Sequence, residues 1–281
     1  MAGSLYLLYP EWQGSGKSPA VQAGATTIAR ALFPGVPFLT IDSPGDEALA
    51  RTDGVVGLTS IAPRFRDAIA RVRAAAPERI LTIGGTCGVE AAPVAYLNER
   101  CGGDLAVVWL DAHGDLNTPA SSPSGNFHGM ILRTLLGDGP DAFTRELRRP
   151  LRPAQLFLAA TRDLDPAEAE FVSRASISVT PPAAFDDPES LVTRIRERGF
   201  SRVYLHLDLD ALNPADFPDT LMRTPGGPGL AGVCAMMRAL AGAFTIAGAS
   251  IVEYIHGDER SLAAIRTLVE CTGLAGRLQD A

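Results

Sequence analysis

The sequence predicts an α/β fold, a three-layer αβα sandwich around a central, mainly parallel sheet of eight strands. Eight short β-branched or aliphatic runs recur at intervals that leave room for a helix between most of them. The run LAVVWL at residues 105–110 is apolar on consecutive positions, which is typical of a strand buried on both faces of a parallel sheet. Helices that cover both faces of such a sheet complete the three layers.

Each element follows from a local pattern in the chain. The predicted strands are residues 5–9, 36–41, 80–83, 105–110, 155–159, 177–179, 203–209 and 245–255. Segments with apolar residues at helical spacing lie between most of them, at residues 61–73, 89–99, 129–136, 188–198, 230–242 and 258–277. No linker, low-complexity tract or charge block interrupts the sequence, so residues 1–281 are expected to form a single domain.

Length and charge narrow the classes of function. A chain of 281 residues is long enough to bury a large core without disulfides or a structural metal. The 25 basic and 32 acidic residues are interspersed and give a net charge of −7, so nucleic acid is not an expected partner. The chain has no apolar run of the roughly 20 residues that a membrane span needs, and its first residues lack the basic segment of a signal peptide. We therefore expect a cytoplasmic protein without membrane contact.

One segment resembles part of a nucleotide-binding motif. The residues from Gly14 to Ser18 read GSGKS, like the end of a phosphate-binding loop, and they follow the first predicted strand. That motif requires another glycine five residues before its Gly-Lys pair, where this chain has Glu11. We therefore predict a flexible Gly/Ser turn here rather than a nucleotide site.

The informative residues are acidic and lie at the ends of two strands. Asp111, His113 and Asp115 follow the fourth predicted strand, and Asp208 and Asp210 lie at the end of the seventh. Alternate residues of a strand point to the same side, and ligands of open parallel sheets bind at the carboxyl ends of the strands. Buried carboxylates repel one another unless a cation lies between them, and an oxygen-rich set suits Mn²⁺. The alternative is that these residues are helix N-caps and surface ion-pair residues.

A longer motif carries a family resemblance. From Asp111 to Met130 the chain reads DAHGDLNTPASSPSGNFHGM, which is similar to the arginase stretch DAHxDxNTP…SGNxHG at unchanged spacing. The chain therefore resembles the ureohydrolases, the family of arginase and agmatinase, from Gly84 to the region of Glu253. This resemblance implies an arginase-like fold and a hydrolase that cleaves a guanidino group with two Mn²⁺ ions.

The resemblance also implies which residues hold the two ions and carry the chemistry. Asp111 and Asp208 are implied to bridge the ions, Asp115 to complete the coordination of one, and His113 with Asp210 that of the other. The resemblance implies that His128 relays a proton from solvent and that Glu253 binds the guanidinium group. Asp115 is placed to accept the proton of the attacking hydroxide.

Two further segments resemble the substrate site of arginase. Asn117, Ser124 and Asn126 match residues that receive the α-carboxylate of the substrate, and the RDLDPAE segment places Asp165 and Glu168 near its α-amino group. Agmatine lacks the carboxylate, so the resemblance implies an L-arginine-like amino acid as the substrate. Without the family context, Asp165 is also a typical helix N-cap and Glu168 a typical solvated helix residue.

Three departures from the family pattern stand beside these matches. The family's GGxHS becomes GGTCG, so that Cys87 replaces a metal-binding histidine. The family's SxDxDxxDP becomes HLDLDALNP, with His206 in place of the serine and Asn213 in place of the last aspartate. The usual ExNP becomes EYIH, from Glu253 to His256. Each departure is expected to alter the metal site or its surroundings.

Cys87 is the departure with the largest expected consequence. A thiolate ligand favours Zn²⁺ or Fe²⁺ over Mn²⁺, and its negative charge lowers the power of the ion to polarise water. Such a site suits Nω-hydroxy-L-arginine, whose N-hydroxyl group makes the guanidine less basic and offers a further oxygen to the metal. The combination resembles the branch of the family that converts this substrate to L-ornithine and hydroxyurea in the biosynthesis of the antibiotic D-cycloserine.

Several alternatives remain open at the level of sequence. Cys87 can also be a buried thiol that binds no metal. The chemistry can be that of an arginase or of another guanidino-acid hydrolase, whereas a formimidoylglutamate hydrolase is expected to lack the SGN and RDxDxxE segments. The alternative outside enzymes is a degenerate family member that binds an amino acid without hydrolysing it. Because family members often form trimers or hexamers, a homo-oligomer is also open.

Overall fold

The computed structural model describes residues 3–16, 18–255 and 257–274. Its strands are β1 (Ser4–Tyr9), β2 (Leu39–Thr40), β3 (Arg51–Thr52), β4 (Val55–Val56), β5 (Arg79–Gly84), β6 (Ala106–Leu110), β7 (Leu156–Ala159), β8 (Ser178–Thr180), β9 (Arg202–Asp208) and β10 (Thr245–Val252). Its α-helices are α1 (Ala20–Leu32), α2 (Leu58–Ala75), α3 (Ala91–Arg100), α4 (Ile131–Leu135), α5 (Asp141–Thr144), α6 (Pro166–Arg174), α7 (Pro188–Glu197), α8 (Leu230–Ala243) and α9 (Glu259–Cys271). Strands and helices thus alternate along most of the chain.

One eight-stranded sheet forms the centre of the fold, in the order β2-β1-β5-β10-β9-β6-β7-β8, and its neighbouring strands pair in parallel. Two apolar cores lie on its two faces. Residues of α1, α7, α8 and α9 contribute to one core, and residues of α2, α3 and α4 to the other. Because a strand directs alternate residues to opposite faces, each central strand supplies apolar side chains to both cores. The predicted three-layer α/β sandwich is confirmed.

The predicted strands match the observed ones closely. All eight form the central sheet, and β2 differs most, since only Leu39–Thr40 pair within the predicted 36–41 run. The sequence patterns missed the short β3–β4 hairpin and the helices α1, α5 and α6. The predicted end of the last helix lies outside the described residues. None of the helices within the described ranges combines the length and apolar character that crossing a membrane requires.

Gly14 and Ser15 of the predicted Gly/Ser turn are buried, and side-chain hydrogen bonds hold this part of the turn. A single 3-10 turn covers Gln13–Ser15, and Glu11 accepts a hydrogen bond of 2.5 Å from the backbone N–H of Gly14. The other oxygen of Glu11 accepts from the hydroxyl of Thr86 at 3.1 Å. At the position where a phosphate loop has glycine, this chain therefore has a buried carboxylate that ties the turn to the loop after β5.

Candidate metal centre

The predicted metal-binding side chains lie at the carboxyl ends of four adjacent central strands. The strands β5, β10, β9 and β6 are neighbours in that order. Cys87 follows β5 and Glu253 follows β10, while Asp208 is the last residue of β9 and Asp111 follows β6. The sulfur of Cys87 is 3.3 Å from Oδ2 of Asp208 and 3.9 Å from Oδ2 of Asp111. Sheet order therefore brings together residues that are far apart along the chain.

Two similar turns place the aspartates. Oδ1 of Asp111 accepts the backbone N–H of His113 at 2.7 Å, and Oδ1 of Asp208 accepts that of Asp210 at 2.7 Å. An aspartate commonly binds the N–H two residues ahead in this way, which explains the spacing of both motifs. A bond of 3.2 Å from the N–H of Ala112 to Asp210 links the two turns. The second oxygens of Asp111 and Asp208 are thereby directed toward Cys87.

His113 lies between two carboxylates. Its Nδ1 is 3.1 Å from Oδ2 of Asp210 and 3.3 Å from Oδ1 of Asp111. Burial lowers the pKa of His113, but the hydrogen bonds and negative charges of Asp111 and Asp210 outweigh burial and raise this pKa to about 12. These three groups thus attract a positive charge strongly, and a divalent cation would replace the proton of the imidazole.

Asp115 and Glu253 combine backbone strain with unsatisfied oxygens. Their φ angles are 53° and 63°, in the left-handed region that non-glycine residues rarely adopt and that costs on the order of 1–3 kcal/mol. Oδ2 of Asp115 and Oε2 of Glu253 are buried and have no hydrogen-bond partner in the part of the chain that the structure describes. Burial and the charge of Asp111 raise the pKa of Asp115 well above its ordinary value. Cations at this place would satisfy both oxygens, so the residues present fit a metal centre.

Ligand atoms of the centre form three overlapping groups, and within each group the atoms lie within 4.8 Å of one another. The groups are Cys87 with Asp208 and Glu253; Asp111 with His113 and Asp210; and Cys87 with Asp111, Asp115 and His206. Two of these groups share Cys87 and two share Asp111, which suits neighbouring cations with common ligands. The donors are mainly carboxylate oxygens, the ligands that hard divalent cations prefer.

A cavity of about 290 Å³ opens onto this centre, a size that suits a small ligand. Twelve of the thirteen predicted site residues line it, namely Cys87, His113, Asp115, Asn117, Ser124, Asn126, His128, Asp165, Glu168, Asp208, Asp210 and Glu253. The thirteenth, Asp111, is fully buried. A larger cavity of about 750 Å³ between Asp216 and Arg260 contains none of the predicted residues.

Glu168 has a structural role beside its place in the cavity wall. Its Oε1 accepts the backbone N–H of Leu116 at 2.7 Å, and its Oε2 accepts that of Asp165 at 2.9 Å. Glu168 is therefore not the solvated helix residue that its position alone suggests. Asp165 is the N-cap of α6 and also lines the cavity, so both interpretations of this residue hold. Glu168 ties the start of α6 to the loop after Asp115.

The polar wall of the cavity contains the other predicted substrate residues. Nδ2 of Asn117 donates to Oδ2 of Asp165 at 2.8 Å, which brings the two predicted ends of the amino-acid site together. Oγ of Ser124 accepts the N–H of Asn126 at 3.1 Å. Nδ1 of His128 is 3.1 Å from Oε1 of Glu253, so the predicted proton relay contacts the predicted guanidinium carboxylate.

The predicted site residues do not include two buried polar residues next to the centre, although His206 was recognised as a departure from the family pattern. His206 and Glu90 are both fully buried, and His206 belongs to one of the ligand groups. The signal for His206 is the period of two along β9, which places it on the same side as Asp208. The signal for Glu90 is weak, because its position becomes informative only once the 3-10 turn Cys87–Glu90 is known. His256, part of the third departure, lies outside the described residues.

Comparison with protein families and with curated proteins gives one consistent result. The model of the Arginase family matches residues 41–271. An arginase of Staphylococcus aureus (strain COL) is 35% identical over 153 residues, 52% of this chain and 50% of that protein. An N(omega)-hydroxy-L-arginine amidinohydrolase of Streptomyces lavendulae is 30% identical over 165 residues, 56% of each protein. The chain thus spans about half the length of the curated relatives it matches.

Solved structures match over nearly the whole chain. An arginase from Entamoeba histolytica superposes with a TM-score of 0.86 at 22% identity, covering 97% of this chain and 99% of that one. The arginase from Bacillus caldovelox superposes with a TM-score of 0.79 at 26% identity, covering 97% and 98%. The central sheet and its flanking helices therefore have the arginase fold.

Proposed function

The chain belongs to the arginase family, and from this premise we propose that it is a metal-dependent amidinohydrolase that cleaves a C–N bond in a guanidino amino acid. The observation that carries the proposal is the pair of unsatisfied oxygens, Oδ2 of Asp115 and Oε2 of Glu253, within overlapping groups of metal ligands. A buried carboxylate oxygen without a partner is costly. A cation and a guanidinium group are the partners that such oxygens attract.

We assign the ligands of two divalent ions from the groups that the structure brings together. Asp111 and Asp208 would serve both ions, His113 and Asp210 would complete the ligands of one, and Asp115 with Cys87 would complete those of the other. When bound, two such ions supply positive charge and a water molecule whose pKa is lowered toward neutrality. The oxygen-rich donor set supports Mn²⁺, while the sulfur of Cys87 adds affinity for Zn²⁺ or Fe²⁺.

The side chains around the centre have separate tasks in the hydrolysis. Glu253 binds the cationic guanidinium group and holds its carbon in place for attack. Asp115 accepts the proton of the attacking water, because its carboxylate lies among the ligand atoms of the centre and lines the cavity. His128 contacts Glu253 and has 18% of its side chain exposed, so it can carry a proton from solvent to the departing amine.

The polar wall of the cavity is the proposed binding site for the amino-acid end of the substrate. Asn117, Ser124 and Asn126 offer amide and hydroxyl donors to an α-carboxylate. Asp165 is the proposed partner of the α-amino group. Glu168 acts by holding Asp165 in place, since both of its oxygens already accept backbone hydrogen bonds.

The finer proposal is that the substrate is Nω-hydroxy-L-arginine, which hydrolysis converts to L-ornithine and hydroxyurea in antibiotic biosynthesis. Two observations support it. The sulfur of Cys87 lies within the ligand groups of the centre, where it weakens the activation of water, and a relative at 30% identity bears the name of this activity. The competing substrate is L-arginine, which is favoured by the arginases among the relatives.

A product assay tests both levels of the proposal. The purified protein with a defined Mn²⁺ content is supplied with L-arginine or Nω-hydroxy-L-arginine, and ornithine, urea and hydroxyurea are measured. We expect a higher kcat/KM for the hydroxylated substrate. A higher kcat/KM for L-arginine would overturn the finer proposal and leave an arginase. Binding of a guanidino amino acid without any product would overturn the enzymatic proposal and indicate a binding protein.

Cys87→His is the matched variant for the substrate proposal, because it restores the histidine of the family pattern. If the cysteine determines the preference, the variant gains activity on L-arginine relative to the hydroxylated substrate. The ratio of the two kcat/KM values measures this change directly and does not depend on the fraction of active protein. An unchanged ratio would show that other residues determine the preference.

A further inference from the structure

Two departures from the family pattern, Cys87 and His206, meet at one place in the structure. His206 is fully buried in β9, where it pairs with Trp109 of β6 on one side and Ser250 of β10 on the other. Paired residues of adjacent strands share a face of the sheet. The side chain of His206 therefore lies beneath the metal centre, on the same side as Asp208, which follows two residues later.

The Nδ1 side of His206 is firmly held. This atom is 3.1 Å from the hydroxyl of Ser250 and 3.6 Å from Oε1 of Glu90. Glu90 is itself fixed by a hydrogen bond of 2.5 Å from the hydroxyl of Tyr204 to its other oxygen. The indole of Trp109 stacks on the imidazole with ring centroids 3.4 Å apart. The orientation of the ring is thus set by contacts on its edge and on its face.

The Nε2 side of His206 faces the centre without a hydrogen bond. Within the described ranges this buried nitrogen has no hydrogen-bond partner, and it is 4.0 Å from Oδ2 of Asp111. His206 also belongs to the group in which one ligand atom each from Cys87, Asp111, Asp115 and His206 lie within 4.8 Å of one another. Metal–ligand bonds of about 2.0–2.3 Å place opposite ligands of one ion about 4–4.6 Å apart, so these separations suit a shared ion. With its proton on Nδ1, where the hydroxyl of Ser250 and the carboxylate of Glu90 can accept it, the imidazole of His206 presents a lone pair at Nε2.

We propose that His206 is a ligand of the metal ion next to Cys87, so that the imidazole absent from position 87 is supplied from position 206. The inference rests on the proposed two-metal centre and adds a ligand that the family pattern, with serine at this position, does not contain. Relative to the family pattern, the imidazole lost at position 87 is then replaced by the imidazole gained at position 206. Ser250 and Glu90 are positioning residues, because they act on the metal through the ring of His206.

The number of imidazoles bound to metal tests the proposal. X-ray absorption on the protein loaded with two zinc ions counts imidazoles through their outer-shell scattering. We expect two in the unmodified protein, from His113 and His206, and one in His206→Asn, which retains an amide near Ser250 but has no atom at the place of Nε2. Zinc affinity should fall by at least about 10-fold, the lower range seen for loss of an outer-shell partner. Equal scattering in both proteins would overturn the proposal.

A positioning variant separates ligation from general damage to the site. Ser250→Ala removes the partner of Nδ1 and leaves Nε2 in place. We expect weaker zinc binding, by about 10- to 100-fold, with an unchanged count of two imidazoles. A loss of scattering in Ser250→Ala as large as that in His206→Asn would overturn the distinction between ligand and positioning residue.

Restoring the family arrangement provides a test that does not depend on the folding of His206→Asn. Cys87→His alone should show three imidazoles, and the double variant Cys87→His/His206→Ser should show two. Equal counts in these two variants would mean that position 206 contributes no ligand. Because the readout is the metal environment rather than turnover, a chain with two bound imidazoles that hydrolyses no guanidino compound would refute the proposed function alone. A chain that hydrolyses its substrate with one bound imidazole would refute this inference alone.

Discussion

Replacing Glu11 by glutamine should stabilise the protein at neutral pH and lose this advantage in acid. The side chain of Glu11 is 2% exposed and accepts hydrogen bonds from Gly14 and Thr86. Burial raises the pKa of this carboxyl from 4.5 to about 7, although the two hydrogen bonds act in the opposite direction. Glutamine retains a carbonyl acceptor for Gly14 and removes the ionisation.

The sign of the effect follows from the protons that each state binds. Between pH 4.5 and pH 7 the folded protein retains the proton of Glu11 and the unfolded chain has lost it, so the free energy of unfolding falls as pH rises. Below this window Glu11 is protonated in both states, and its ionisation makes no contribution to the free energy of unfolding. A separation of about 2.5 pKa units at 1.36 kcal/mol each gives on the order of 3 kcal/mol of destabilisation above the window.

Urea unfolding of the two proteins from about pH 4.5 to about pH 8 measures this term. With a chelator present, the difference between their free energies of unfolding should grow by about 3 kcal/mol toward high pH. Glu170→Gln is the matched control, because Glu170 has 74% of its side chain exposed and its difference should stay nearly constant. A constant difference for Glu11→Gln as well would refute the argument that burial opposes the ionisation of Glu11.

Three further outcomes are expected. Asp111→Asn removes the charge of a proposed metal ligand, so kcat should fall by at least about 1000-fold in an ornithine assay. A variant that turns over as fast as the unmodified protein would contradict the metal assignment. Arg162 donates to five backbone carbonyls around Asp210, and the single ammonium group of Arg162→Lys cannot span them. The free energy of unfolding should fall by about 1–3 kcal/mol in thermal unfolding, and an unchanged Tm would contradict this role. Removing divalent cations with a chelator should lower Tm, because cations at 100 times their Kd stabilise the folded state by about 2.7 kcal/mol. A Tm that Mn²⁺ does not change would contradict the proposal that cations bind at this centre.

The central sheet could be predicted because its signal is local. Strands such as β6 are apolar on consecutive positions, and that pattern depends on the two buried faces of a parallel sheet rather than on any particular neighbour. The Asp111 and Asp208 motifs were equally accessible, since each makes a turn with the N–H two residues ahead. Sequence patterns identify such features because the residues that define them are adjacent in the chain.

The features that sequence patterns missed depend on distant contacts. Helix α1 contains Gly24, where an added Cβ would lie 1.8 Å from the carbonyl oxygen of Tyr254, so a poor helix former is required by a neighbour far along the chain. Likewise, His206 was recognised as a departure from the family pattern, but its place beside Asp111 depends on the register between β6, β9 and β10. Pairing registers of this kind are not encoded in any single segment.

The position of β10 has a consequence for how the protein is made. It is the last strand along the described chain, yet it lies between β5 and β9 and joins the two halves of the sheet. During synthesis on the ribosome, each half therefore retains an open edge until residues 245–252 have emerged, and such edges favour pairing with other chains. Cys87 belongs to one half and Asp111 and Asp208 to the other. The full set of proposed ligands therefore comes together only once β10 has joined the two halves of the sheet.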